Sequence, residues 1–298
     1  MERREFLKKS LALGIGAGAL FLPRGLARAA DLPDLVALKG PSPAAMFDRG
    51  MKALGGMERF VRPGQTVALK PNISWDVDAQ GAANTQPELV ARIVEHCLAA
   101  GAKRVYVFDH SIEYWESSLD ASGIGAAIKA SGGLYAPADE AGYYQRVDIK
   151  GSTLGAAQVH ETLMESDVFI DAPVLKHHGG AGVSIAMKNL MGCVWDRRAY
   201  HARGLQACVA DFLRVRRPDL CVVDAYRVIT RHGPRGGSPN DVAEMRAQII
   251  SPDIVAADTA ATKMLGRDPA GVEHITLAAK AGFGEMDLAK LKIERIVL

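Results

Sequence analysis

Four short apolar runs in this chain each stop at a charged or imidazole side chain, and helical patterns lie between them. Residues 66–70 end on Lys70 and lead into Pro71-Asn72. Residues 104–109 end on Asp109-His110, residues 167–175 lead into Lys176-His177-His178, and residues 220–224 close on Asp224. Residues 87–100 carry Leu89, Val90, Ile93, Val94 and Cys97 at helical spacing, with a proline at the start and Gly101 at the end. Residues 254–265 form a second helical pattern ended by Gly266, and residues 293–298 read as a last strand. Strands alternating with helices predict an α/β fold, a mostly parallel sheet with helices on both faces. Pro173 predicts a bend or an edge in its strand. Residues 111–160 are less regular and are expected to form a small inserted lobe within one domain spanning 30–298.

Open parallel sheets bind ligands beyond the carboxyl ends of their strands. Four strand ends carrying Lys, Asp/His, Lys/His/His and Asp therefore predict one shared cleft. The strongest segment runs from Lys176 through His178, Gly180, Gly182, Ser184 and Lys188-Asn189 to Gly192. A glycine-rich turn after a strand exposes backbone amides that can hold an anion, with Lys188 and Asn189 facing the same spot from the next helix. His110 and His178 are expected as an acid–base pair, since imidazole titrates near neutrality. Lys188, Asn189, Gly180, Gly182 and Ser184 are assigned to cofactor binding. Lys70, Asn72, Lys176 and Arg231 are assigned to an anionic substrate, Arg231 because guanidinium makes bidentate contacts.

These residues support an enzyme working by proton or hydride transfer. A metal-dependent hydrolase or transferase is the second reading, with Asp224 and Asp258 joining the histidines around a divalent ion. A non-catalytic periplasmic binding or maturation protein is the third.

The first 29 residues read as an address. Arg3-Arg4-Glu5-Phe6-Leu7-Lys8 resembles a twin-arginine export signature, residues 11–22 are an apolar stretch too short for the roughly 20 residues of a bilayer span, and Ala27-Arg28-Ala29 is a small-x-small cleavage site. Periplasmic export by the twin-arginine translocase, with no stable membrane span, is expected. That route moves folded proteins, many already loaded with a cofactor. The leader holds six of the 36 Lys/Arg and two of the 34 Asp/Glu, so the remainder is slightly acidic and nucleic-acid binding is not expected. No CxxC pair occurs among Cys97, Cys193, Cys208 and Cys221, so no iron–sulfur cluster is expected.

The chain resembles domain-of-unknown-function family 362. The resemblance rests on Leu69-Lys-Pro-Asn72, Asn84-Thr-Gln-Pro87, Ala172-Pro-Val-Leu-Lys-His-His178 and Met187-Lys-Asn-Leu-Met-Gly192. It continues through Val223-Asp-Ala225, the Gly233-Pro234 loop and Ser251-Pro-Asp-Ile-Val-Ala-Ala-Asp258. More distantly, His178, Ala181-Gly182-Val183-Ser184 and Lys188 are similar in order and spacing to the N-terminal domain of the nickel-pincer lactate racemases. Thr85-Gln86-Pro87 and His110 resemble further racemase segments. That similarity implies a cofactor carried covalently on Lys188, a catalytic role for His110 and a nickel ligand at His201. Ile185-Ala186 replaces the family's Gly-Gly, and the racemases' second domain has no counterpart.

Overall fold

The structure is a computed structural model that describes residues 32–298; the leader and its cleavage site lie outside the described residues. Its main sheet contains the expected strands: β2 (Thr66–Pro71), β3 (Arg104–Val107), β7 (Val168–Ala172), β10 (Leu220–Ile229) and β12 (Ile293–Val297). It also contains β1 (Leu35–Lys39), β4 (Leu134–Tyr135), β8 (Val174–His178), β9 (Gly182–Ser184) and β11 (Val242–Ser251). The order is β12-β1-β11-β10-β7-β2-β3-β4, with β8 beside β10 and β9 beside β8.

Most pairings are parallel, but β11 runs antiparallel to both neighbours and β9 antiparallel to β8. Pro173 separates β7 from β8. Without an amide hydrogen it cannot continue the ladder, so the chain leaves β7 and pairs further along the ten-residue β10.

Alternate strand residues enter two separate cores, as a period of two requires. Val168 and Ile170 join Val67, Leu69 and Val222 on one face; Phe169 joins Ala68, Cys221 and Val223 on the other. Helices α1 (Pro43–Ala53), α2 (Pro87–Ala99) and α4 (Ile124–Ser131) cover the first face, and α8 (Leu205–Phe212), α9 (Ile254–Met264) and α10 (Glu273–Lys280) the second. The buried stripe of α2 is the predicted one, Leu89 to Cys97. Fully burying each aliphatic side chain there is worth about 1.5–3 kcal/mol.

Residues 111–160 divide. Helix α3 (Trp115–Ala121), α4 and β4 continue the main sheet and its helical layer, whereas β5 (Tyr144–Asp148) and β6 (Ala156–His160) form a separate two-stranded sheet. Helices α5 (Glu161–Glu165), α6 (Ala186–Asn189) and α7 (Arg198–Arg203) are short connectors, and the last two border the cleft.

Candidate functional site

A cavity of about 240 Å³ lies beyond the carboxyl ends of β2, β3 and β8, closed by β9, α6 and α7. It is smaller than the roughly 300–1,000 Å³ usual for drug-sized ligands, so it suits a small molecule. Seven predicted residues share its wall: Asn72, Lys176, His178, Ser184, Lys188, Asn189 and His201.

Below the cavity runs a buried polar network. Lys70 is fully buried, and its Nζ lies 2.8 Å from Asp109 Oδ1 while donating to Asn189 Oδ1 (3.0 Å) and the Pro71 carbonyl (3.0 Å). Asn189 is satisfied at both ends of its amide. Its Oδ1 also accepts from Asn72 Nδ2 (3.1 Å), and its Nδ2 donates to Asp171 Oδ1 (2.7 Å) and the Lys70 carbonyl (3.2 Å). That chemistry fixes which way the amide points. Burial holds the Asp171 carboxyl well above the usual range. Asp109 reaches the cavity wall, with its Oδ2 accepting from the Ile73 amide (2.7 Å) and the Ser74 hydroxyl (3.3 Å). Lys70 thus holds a carboxylate and contacts no ligand space, which corrects its assignment to the substrate.

The glycine turn has a different task from the one expected. The amides of Gly180 and Ala181 both donate to His178 Nδ1, at 3.1 and 3.0 Å. They are not free to hold an anion, and neither Gly180 nor Gly182 lines the cavity. A neutral imidazole whose Nδ1 accepts must carry its hydrogen on Nε2. Burial, then repulsion from Lys188 and Lys176, pushes the His178 ring down to about 3, so it stays neutral near pH 7. In this arrangement the Nε2 of His178 carries a hydrogen and offers no lone pair to accept a proton.

Two lysines share this cavity with it. Lys176 is fully buried, donates to Asn72 Oδ1 (3.0 Å) and the Ala83 carbonyl (2.5 Å), and lies 5.9 Å from the centre of the Trp75 ring. No carboxylate pairs with it; burial and then Lys188 pull its ammonium down to about 7. Lys188, on α6, has no hydrogen-bond or ion-pair partner among the described residues. Burial, then the charges of Arg197 and Lys70, lower it to about 8. Arg198 also faces the cavity without a partner among the described residues, from the exposed rim of α7.

The remaining assignments move elsewhere. The His110 ring is off the cavity wall: its Nδ1 lies 2.9 Å from the Val194 carbonyl and its face stacks on Trp195 at 4.9 Å. His110 serves the site through its backbone, because its carbonyl and that of Ser111 anchor Arg197 (2.5 and 2.8 Å). Arg231 is 61% exposed and bound to Asp241 at 2.9 Å, away from the cavity; from that loop Pro234 is the residue that reaches it.

Asp224 and Asp258 are not metal ligands here. Asp224 accepts from the Gln86 and Tyr226 amides (2.7 and 3.0 Å), tying the start of α2 to β10. Asp258 accepts from the Ala186 and Met187 amides (2.8 and 3.1 Å) and so seats the helix that carries Lys188. Burial raises these carboxyls to about 6 and about 7 respectively. His201 shares the cavity wall with His178, and among the described residues no three His, Cys, Asp or Glu side chains form a metal site.

Sequence reasoning put Asp109 at one of the four strand ends without giving it a role, and it assigned no role in the site to Arg197, Arg198 or Gly192. Gly192 carried a readable signal: a Cβ there would overlap Asp109 Oδ1 and crowd Lys70 Nζ, so the position takes glycine. Ile185 and Ala186 are buried in the core away from the cavity and do not crowd it.

A family model described as a domain of unknown function (DUF362) matches residues 67–263. A thylakoid-associated protein of Synechocystis sp. is 28% identical over 249 residues, covering 78% of this chain and 73% of that protein. Among solved structures, the lactate racemase apoprotein of Thermoanaerobacterium thermosaccharolyticum is similar at a TM-score of 0.48 and 10% identity, over 77% of this chain and 56% of the racemase. A Thermotoga maritima protein is similar at 0.48 and 11% identity, over 80% of this chain and 59% of that one. The chain spans just over half the length of each of these two structures.

Proposed function

The chain belongs to the family described as a domain of unknown function (DUF362), a description that names no reaction, and we propose from the cavity that it is an exported enzyme acting on a small anionic substrate. One observation carries this reading. Lys188 and Arg198 face the cavity with no partner among the described residues, while its lining carboxylate, Asp109, is already held by Lys70. A buried cation without a partner is costly, and an anion supplies the missing charge.

The chain's own groups divide the work. Lys188, Lys176 and Arg198 attract and hold the anion. The Nε2 hydrogen of His178 polarises a substrate oxygen, with its direction set by the two amides on Nδ1. Amines held near 7 and 8 can take up or release a proton close to neutral pH. Proton transfer therefore belongs to the lysines, and the expected His110–His178 pair gives way to a donor imidazole beside an amine.

A carrier group bonded to Lys188, which the racemase resemblance implies, fits the unpaired amine with Ser184 and His201 on the same wall. Such a group supplies hydride acceptance when bound. A chelated divalent ion fits less well, because Asp224 and Asp258 are occupied by backbone amides.

The experiment is incubation of purified full-length protein with a panel of small 2-hydroxy and 2-oxo acids in D2O, read by proton NMR for exchange at carbon and by calorimetry for binding. Exchange that is lost in Lys188→Met supports the enzyme reading. Binding without exchange supports the binding-protein reading, and no binding by any anion overturns both.

A further inference from the structure

We infer that Lys188 forms an imine with the carbonyl carbon of a small 2-oxo acid held in this cavity; the inference rests on the anionic reading of the site above. Three features of the geometry point to it. Lys188 is the one lysine of the cavity whose amine is not already donating to protein oxygens: Lys176 is tied to Asn72 and Ala83, whereas Lys188 has no partner among the described residues. An unpaired amine beside other cations loses its proton readily, and the neutral amine is a nucleophile toward carbonyl carbon. The Arg198 guanidinium on the same wall leaves positive charge for the acid's carboxylate once the amine is neutral.

His178 supplies the third feature. Its Nδ1 is committed to the Gly180 and Ala181 amides, so the ring nitrogen left for a ligand, Nε2, carries a hydrogen and no lone pair. A group of that kind stabilises negative charge developing on a carbonyl oxygen and does not itself take a proton from carbon. Attack on a carbonyl is the step that uses an amine and a fixed donor together.

The step balances without a co-reactant. The Lys188 nitrogen lone pair forms the C–N bond as the carbonyl π pair moves to oxygen, where the His178 N–H meets it. One amine proton passes to that oxygen, giving a carbinolamine. The nitrogen lone pair then forms C=N as the C–O bond breaks, and the second amine proton leaves with the hydroxide as water. No atom is oxidised or reduced.

The test uses the full-length protein, pyruvate or glyoxylate as probe, and cyanoborohydride to reduce any imine, with intact and peptide mass spectrometry. One adduct per chain on the Lys188 peptide is expected. It should be absent with lactate, be blocked in the wild-type protein by excess lactate, and fall at least tenfold in Lys188→Met. With the acid kept saturating at each pH, trapping should grow as the pH rises from 6 toward 8, by about tenfold per unit while the amine is mostly protonated, the opposite of the trend expected for simple anion binding. Binding of both acids with no trapped adduct overturns the imine and leaves the anionic reading standing. Binding of neither overturns the reading and the imine with it. Adducts spread over many surface lysines, or a Lys188 peptide already modified before any acid is added, also overturn it.

Discussion

Lys70 Nζ and Asp109 Oδ1 lie 2.8 Å apart with both side chains fully shielded from solvent, joining the ends of two adjacent parallel strands beneath the cavity. Lys70 ends an apolar strand, which draws its charge into the core, and Asp109 is the acid at the next strand end. Removing one partner leaves the other charge buried and uncompensated, which costs about 3–5 kcal/mol. Lys70→Met should therefore lower the urea midpoint sharply, and adding Asp109→Leu should recover a large part of the loss. Additive losses in the double variant would show the two side chains to be energetically independent.

Gly192 should tolerate nothing larger. A Cβ there overlaps Asp109 Oδ1, and backbone shifts to relieve such crowding cost about 1–3 kcal/mol. Gly192→Ala should reduce thermal stability and anion affinity together, whereas Gly142→Ala, where a Cβ meets nothing within 4 Å, should alter neither.

His178 should remain neutral, with its hydrogen on Nε2, across the physiological range. Its ring is pushed down to about 3, so nitrogen NMR of the labelled imidazole should show no titration between pH 5.5 and 8 and the pattern of the Nε2–H tautomer. A mid-range titration, or the Nδ1–H tautomer, would remove the donor role.

Much of this arrangement is legible in the sequence, and the part that is not has a common cause. Strand ends, the Pro173 break and the Lys176–Asn189 segment are local features, so their residues could be read directly. Strand β11 was harder to see, because its first half alternates between partly exposed and exposed positions and pairs only through β1 and β10. Asp224 and Asp258 look like ligands in a sequence, since a carboxylate that takes backbone amides is chemically the same residue as one that takes a metal. Only the position of the Gln86 and Ala186 amides separates the two uses. The same holds for Gly180, whose amide is consumed by a histidine two residues away.

The proposed export rests on residues outside the described structure, and the sequence alone motivates it. Replacing Arg3-Arg4 by Lys-Lys should hold the protein in the cytoplasm, measured by fractionation with a periplasmic marker. Unchanged periplasmic recovery would contradict the twin-arginine route.

On the function proposed above, a small anion completes the charge of the cavity around Lys188. Lys176 and Lys188 are depressed to about 7 and about 8, and a bound anion favours their protonated forms. Binding should therefore take up protons and be tightest below pH 7. Affinity should fall as pH rises through 7 and 8, by at most about tenfold per unit for each lysine that must be protonated. The direct measurement is calorimetric titration of lactate into wild-type and Lys188→Met protein between pH 6 and 9, in buffers of different ionisation enthalpy. Proton uptake on binding and an affinity that declines with pH are expected in the wild type, with weaker and flatter binding in the variant. Equal affinity and an unchanged pH profile in Lys188→Met would contradict it.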